Sequence, residues 1–168
     1  MAYVPEMELN LVEFWLRRDP VRWRVGVLGG MIAAVFAVLV AMLISASYGV
    51  EIWFPVKVAA AVLLGPEATE YGLLLKPILV GVIAIAALSG FLGFLFAHFV
   101  WSNSIPVLLS MGLVWGIFSW IFIWNLFLQS LRQIFSLHLP SALAFVICVA
   151  FGLALAVIAP LDRVCRGR

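Results

Sequence analysis

Four long uncharged stretches divide the chain, and each has the length of one membrane crossing. They cover residues 25–48, 78–101, 107–131 and 139–159. A helix rises about 1.5 Å per residue, so each stretch is long enough to cross a hydrocarbon layer about 30 Å thick. The pattern predicts an all-α integral membrane protein in which four transmembrane helices form a compact bundle.

Proline placement indicates the helix boundaries, because proline is tolerated at the first helical position and disrupts a helix interior. Pro20, Pro77, Pro106 and Pro140 each precede one stretch, and Pro160 ends the last. Residues 160–168 are predicted to form a basic cytoplasmic tail. Within a single membrane domain of residues 1–168, the predicted transmembrane helices cover residues 20–48, 77–101, 106–131 and 140–159.

The segment before the first span, residues 1–19, is predicted to be an arm on the membrane surface. Between residues 5 and 18, polar side chains recur at helical spacing on one side and apolar side chains, including Trp15, on the other. Such an amphipathic helix lies flat in the membrane interface or docks on a partner, and both alternatives stay open. Asp19 is the predicted N-cap of the first span, and we expect Arg22 and Arg24 to reach the interface, where Trp23 is an anchor.

The first connection, residues 49–76, is too long for a simple turn and contains an apolar run at residues 55–64. This run is too short to span a bilayer, and it predicts a half-helix at the outer interface, with Trp53 at headgroup depth. The half-helix is either a lid on the bundle or the place where a ligand binds. Three carboxylates in this connection could attract a hard cation, although an acid directly after a proline is also typical of a first helical turn. They are Glu51, Glu67 and Glu70.

Small residues recur every three or four positions in each predicted span. They let helix backbones approach closely in lipid, where packing drives helix association. The predicted helix-packing residues are Gly26, Gly30, Gly90, Gly93, Gly112, Gly116 and Gly152.

The composition agrees with a membrane location and excludes other classes of protein. Of the 168 residues, 66% are hydrophobic and 11% are charged, whereas soluble domains are about 45–50% apolar and about 25% charged. These values exclude a soluble domain and a disordered chain. The net charge of +2 is too small for a nucleic-acid partner, and two cysteines make no disulfide framework.

The basic residues indicate the orientation in the membrane. Seven lie before the first uncharged stretch or after the last, and three lie in the first and third connections. By the positive-inside rule, both termini and the turn at residues 102–105 are expected to face the cytoplasm. The seven are Arg17, Arg18, Arg22, Arg24, Arg163, Arg166 and Arg168, and the three are Lys57, Lys76 and Arg132.

The four uncharged stretches hold no carboxylate, ammonium or guanidinium group of the kind that pumps and ion-coupled transporters use at membrane depth. His98 and His138 fall at opposite ends of the predicted bundle and cannot share a metal ion. Cys148 and Cys165 are too far apart along one helix for a disulfide. Because no catalytic, phosphate-binding or metal-binding motif is found, the sequence predicts no enzyme activity and no catalytic, cofactor-binding or metal-binding residue.

The third span is rich in large rings and contains an amide. Trp120 and Trp124 approach the outer interface and fit an aromatic belt, while a quinone, pigment or lipid tail stacked on the rings is the alternative. Asn125 is expected to form a hydrogen bond with a neighbouring helix or with a partner. The candidate partner or lipid contacts are therefore Trp15, Trp53, Trp120, Trp124 and Asn125.

Short glycine motifs carry a resemblance to a known group. Gly26-Val-Leu-Gly-Gly30 and Gly112-Leu-Val-Trp-Gly116 indicate a duplicated helix hairpin, and residues 88–97, LSGFLGFLFA, resemble the second helix of small polytopic proteins such as the YagU group. The resemblance implies a four-helix protein of the bacterial inner membrane with no established chemistry. It transfers no functional residue.

Two functional hypotheses follow. The first is a non-catalytic accessory subunit of a larger integral-membrane complex, whose partners are other integral-membrane subunits and membrane lipids, with no nucleic acid and no soluble substrate. No cofactor is required, although a lipid or a quinone is a candidate ligand. The alternative is an autonomous homo-oligomeric transporter, channel or lipid-handling protein. That alternative predicts a polar cavity between protomers, lined by Ser119, Asn125, Gln129 or Ser130.

Overall fold

The structure is a computed structural model that describes residues 19–126 and 141–167, and this part of the chain contains helices and no β-strand. The predicted arm with Trp15, the end of the third predicted span with Gln129 and Ser130, and the predicted connection with His138 lie outside the described residues. Short 3-10 helices, Pro66–Thr69 and Leu155–Val157, follow the second and the fifth α-helix. The α-helices are α1 (Pro20–Ser47), α2 (Phe54–Leu64), α3 (Leu75–Phe99), α4 (Ile105–Leu126), α5 (Ser141–Ala154) and α6 (Ile158–Cys165).

Four helical runs in the described part are long and apolar enough to span a membrane. The predicted all-helical class with four such helices is confirmed, and it suggests a membrane protein. The short apolar helix α2 lies between the first two runs, where the sequence predicts a half-helix at residues 55–64. The four runs are Pro20–Ser47, Leu75–Phe99, Ile105–Ile123 and Leu143–Cys165.

The last helical run does not end at Pro160, as the sequence predicts, but continues to Cys165. A turn of 3-10 helix precedes α6, and Pro160 lies in the first turn of α6, where its missing N–H and its fixed φ are tolerated. Asp162, which the sequence places in a tail, therefore lies within the helical run and is only 1% exposed.

Helix α1 is central among the described helices. It contacts α2, α3, α5 and α6, whereas α4 packs mainly on α5. We call the end of the packed helices that carries α2 the outer end. The opposite end carries Pro20, Asn103 and Cys165, and we call it the inner end.

Glycines bring α1 close to α3. Gly26 and Gly30 of α1 face Gly93 of α3, and a Cβ added at Gly26 would lie only 2.5 Å from Ala97 Cβ. Gly90, another predicted packing residue, is different, because a Cβ there would make an ordinary contact of 3.4 Å with a valine side chain. Side chains at the three tight positions are therefore incompatible with the observed approach of the two helices.

A second set of glycines brings α4 close to α5. Gly112 and Gly116 of α4 face Gly152 of α5, and a Cβ added at Gly116 would lie 2.7 Å from the carbonyl oxygen of Cys148. Leu108 of α4 is fully buried at the inner end in the same hydrophobic core as α1 and α5. These six predicted packing glycines thus lie in two separate helix pairs.

Helix α2 bridges the outer end. Its Phe54 and Val58 pack on Ile44 of α1, Ile123 of α4 and Leu143 of α5. Farther along α2, two buried alanines pack against the following 3-10 helix and against α3. Helix α2 therefore connects α3 with the α4–α5 pair.

Candidate functional site

Seven rings form a continuous row along α1, α3 and α4, and we call them the aromatic row. The centroids of neighbouring rings in the row lie 5.5–6.4 Å apart, within the range of about 4.5–7 Å at which aromatic pairs attract each other. The row begins at the inner end of α1, crosses α3 and continues along α4. Its members are Trp23, Phe94, His98, Phe99, Trp115, Phe118 and Phe122.

Helical spacing places the three rings on α4 on one face, and the rings of Phe94 and His98 on one face of α3. On α4, residues 115, 118 and 122 are separated by three and four positions, which puts them on one side of the helix. On α3, Phe94 and His98 are four residues apart and their rings stack with an interplanar angle of 17°. The Phe99 and Trp115 rings, 6.2 Å apart, join the two helices.

Two of the three rings of the row on α4 are exposed in the described structure. Phe118 is 51% exposed and Phe122 is 39% exposed, although both are large apolar side chains. Trp115, in contrast, is half-buried against Phe96 and Phe99 of α3. The rings of Phe118 and Phe122 therefore form an exposed apolar surface on α4.

At the inner end, the Arg22 side chain is buried in a cage of oxygen atoms, which the sequence does not predict. Its side chain is 3% exposed. The Nε group donates to the Ala97 carbonyl (3.3 Å), Nη1 donates to Asn103 Oδ1 (2.7 Å), and Nη2 donates to the carbonyls of Val100 and Ser102. These acceptors belong to the end of α3 and the turn after it, so Arg22 fixes that turn against α1.

Two carboxylates complete this inner cluster. Asp162 of α6 lies 3.6 Å from Arg22 Nη1 and accepts hydrogen bonds from Asn103 Nδ2 (2.7 Å) and Arg166 Nε (3.0 Å). Arg166 also donates to Asp19, which accepts the Arg22 backbone N–H at 3.1 Å, and this confirms Asp19 as the N-cap of α1. The cluster therefore links the start of α1, the α3–α4 turn and α6.

The charges in the cluster shift two pKa values outside the spans. Partial burial raises the pKa of Asp19, but the hydrogen bonds from Arg166 and from the Arg22 backbone more than offset this and bring the pKa below its ordinary value. The hydrogen bonds to Asp19 and Asp162 raise the pKa of Arg166. Both shifts favour the ionised pair over its neutral forms.

A second buried cation lies at the outer end, where the sequence predicts only a charged connection. Lys57 of α2 is completely buried, and its Nζ donates to both carboxylate oxygens of Glu51 at 2.9 and 2.7 Å. The carbonyl oxygens of Glu70 (2.9 Å) and Gly72 also accept from Nζ. The ammonium group therefore ties the first turn of α2 to the chain on both sides of it.

The remaining candidate residues from the sequence are dispersed. Glu67 lies in the first turn of the 3-10 helix Pro66–Thr69, apart from the Glu51 carboxylate that holds Lys57. Within the described residues, no group of three potential metal-ligating side chains comes together. His98 belongs to the aromatic row, and Cys148 and Cys165 carry free thiols.

The predicted partner or lipid contacts take different places. Trp53 precedes α2 and is half-buried, and Trp120 packs edge-on against Phe145 of α5, with ring centroids 5.5 Å apart. The side chains of Trp124 and Asn125 lie outside the described part of the chain. Trp23, which the sequence assigns to the interface, packs on Phe94 and is part of the aromatic row.

The sequence identifies the rings of α4 but does not predict that they join those of α1 and α3. It also does not indicate that Arg22 is buried. The signal for the inner cluster is the placement of Asn103 and Asp162, which the predicted topology brings to the same end as Arg22. No comparable sequence signal indicates that Lys57 is buried.

No protein-family model, curated protein or solved structure matches this chain. Its function is therefore inferred from the geometry described above.

Proposed function

We propose that the chain is a non-catalytic accessory subunit of a larger integral-membrane complex, and that a transmembrane helix of a partner subunit packs on the aromatic row. The four apolar helices form a compact bundle in the membrane. The clusters around Arg22 and Lys57 hold its two ends, so that the row is presented on a fixed scaffold.

The exposure of the row on α4 is the observation that carries this proposal. Aromatic belts of membrane proteins lie at the two interfaces with water. Trp115, in contrast, follows the start of α4 at Ile105 by ten residues, or about 15 Å of helix. Aromatic side chains are enriched in protein interfaces, and van der Waals packing is one of the forces that hold helices together in lipid.

The distribution of charge supports an orientation with both termini in the cytoplasm. Arg22, Arg24, Arg163 and Arg166 lie at the inner end, together with the α3–α4 turn that Arg22 contacts. We therefore propose a bacterial inner membrane, as the sequence motifs of the YagU type imply, with the inner end of the bundle towards the cytoplasm.

Photo-crosslinking in native membranes tests the proposal. A photoreactive phenylalanine analogue is introduced at Phe118 or at Phe122, and at Val35 of α1 as a control that is at least as exposed, at 62%. The proposal predicts one discrete protein adduct from each position in the row and lipid adducts alone from Val35. Lipid adducts alone from all three positions would show that the row is only a lipid-facing surface.

A second variant series separates contact from function. Phe118→Leu with Phe122→Leu keeps the surface apolar while it removes the rings. We expect this double variant to release the partner during extraction in mild detergent, whereas Val35→Leu retains it. Retention by both variants would contradict docking on the row.

A further inference from the structure

A cavity of about 380 Å³ lies between α1, α3, α4 and α5, and α2 covers it at its outer side. The volume falls within the range of about 300–1,000 Å³ that is typical of small-molecule sites. Hydrocarbon side chains from all five helices line it, and the polar exceptions are Ser89, Ser119 and the thiol of Cys148. An apolar cavity of this kind does not hold ordered water.

The cavity has a route to the surrounding lipid. Val62 and Leu63 of α2 and Leu88 of α3 line it, and all three side chains are also exposed on the surface of the described helices. These residues therefore form a rim between the interior of the cavity and the apolar surroundings. A hydrocarbon chain can enter past this rim without crossing water.

One polar group in the wall has no hydrogen-bond partner among the described residues. Ser119 is 1% exposed, and its Oγ makes no hydrogen bond to residues 19–126 or 141–167. Ser89, in the facing wall, donates to the carbonyl oxygen of Ala86 at 3.2 Å, which is a common arrangement for a serine within a helix. A buried hydroxyl without a partner is unfavourable, so a bound acceptor would stabilise Ser119.

We infer that this cavity binds one hydrocarbon chain of a membrane lipid, and that the Ser119 hydroxyl donates a hydrogen bond to a carbonyl oxygen of the group at the end of that chain. The shape and the apolar lining of the cavity favour a hydrocarbon chain. The Ser119 hydroxyl, as the hydrogen-bond donor, favours a lipid with a carbonyl acceptor. Acyl esters and isoprenoid quinones both have this chemistry. The site uses α2 as its roof and is independent of partner docking on the aromatic row.

Photolabelling of the purified full chain in lipid nanodiscs tests the inference. The probe is palmitic acid with a diazirine in its chain, and labelled peptides are mapped by mass spectrometry. We expect saturable labelling of the lining residues of α3, α4 and α5, and competition by methyl oleate or by a short-chain isoprenoid quinone. The stronger competitor identifies the lipid class. Labelling confined to the lipid-facing surface would overturn the inference, and this readout needs no variant.

Matched variants on α3 test the cavity itself. Ala84→Leu adds bulk within the lining, whereas Ala87→Leu adds the same bulk one turn away on the exposed surface. The inference predicts that saturable labelling is lost with Ala84→Leu and kept with Ala87→Leu. Equal labelling of both folded variants would contradict it.

Ser119→Ala tests the hydroxyl. We expect competition by methyl oleate and by the quinone to weaken about fivefold, as for the loss of one hydrogen bond, while competition by hexadecane stays unchanged. An equal response of all three competitors would contradict the assigned hydrogen bond. Because the probe needs no partner subunit, a failed docking experiment on the aromatic row would leave this result intact.

Discussion

Replacing Arg22 by glutamine removes the centre of the inner cluster. The guanidinium group is almost completely buried and donates to four acceptors: the carbonyl oxygens of Ala97, Val100 and Ser102, and Asn103 Oδ1. A glutamine amide has only two N–H donors and a shorter reach. Most of these acceptors would therefore be left without a partner, and Asp162 would lose its nearby guanidinium.

The size of the effect follows from these losses. Breaking a buried ion pair by removing one partner destabilises proteins by about 3–5 kcal/mol. For a chain of this length, a loss of about 1 kcal/mol in the free energy of unfolding lowers Tm by about 2–4 °C. Arg22→Gln should therefore lower Tm by about 6–20 °C. Arg24→Gln, two residues away at an exposed position, should change Tm little.

Thermal unfolding in detergent micelles, followed by tryptophan fluorescence, measures the difference. Trp101 is a useful local reporter, because the Arg22 guanidinium lies 5.9 Å from its ring centroid. The double variant Arg22→Gln with Asp162→Asn should lose less stability than the sum of the two single variants, because the pair interacts. Equal melting temperatures for Arg22→Gln and Arg24→Gln would refute the assigned role of the cage.

Three further predictions use the same unfolding assay. Lys57→Met should lower Tm by several degrees, because it leaves the Glu51 carboxylate without its cation. Adding Glu51→Gln to this variant should recover part of the lost stability. No recovery would contradict the pairing of Lys57 with Glu51. Gly152→Ala should prevent the close approach of α4 and α5, because a Cβ there would lie 2.7 Å from the Gly116 nitrogen, whereas Gly90→Ala should be tolerated. Similar losses in both variants would contradict the packing. Arg166 and the Arg22 amide hold the pKa of Asp19 below its ordinary value of 3.8. The ionised Asp19 should therefore contribute fully to stability above pH 3.8. This contribution should be lost as the pH falls through the lower pKa of Asp19 in the folded protein. Asp19→Asn keeps a capping side chain and should abolish this acid dependence, so an unchanged acid profile would exclude Asp19 as its source.

The main helices could be predicted from the sequence because their signal is local. Uncharged length identifies four apolar helices, and Asp19 before Pro20 marks the start of α1. The end of the last helix was harder to predict, because Pro160 is compatible both with a helix end and with the first turn of a new helical segment. The 3-10 turn before α6 makes the second arrangement possible.

The buried charges could not be predicted from local sequence. Arg22 and Asp162 lie 140 positions apart in the chain, and Asn103, which bonds to both, is 81 positions from Arg22. A lysine in a connection, such as Lys57, is expected to be solvated unless distant carbonyl groups converge on it. Only the folded chain shows that the carbonyls of Glu70 and Gly72 do so.

The exposed face of α4 was also beyond the sequence pattern. The helix is apolar on all sides, so no polar stripe distinguishes its packed face from its open face. Gly112 and Gly116 lie on the face that packs on α5. Their spacing alone does not identify this face, because the close contact also requires Gly152 of α5 opposite them. The position of the rings relative to α1 and α3 then follows from tertiary packing.

Native mass spectrometry of the tagged full chain, extracted from its own membranes in mild detergent, tests the accessory-subunit proposal most directly. The account predicts a complex of fixed stoichiometry with at least one other integral-membrane protein, and release of that protein by Phe118→Leu with Phe122→Leu but not by Val35→Leu. A wild-type chain found only as a monomer or as a homo-oligomer would contradict it.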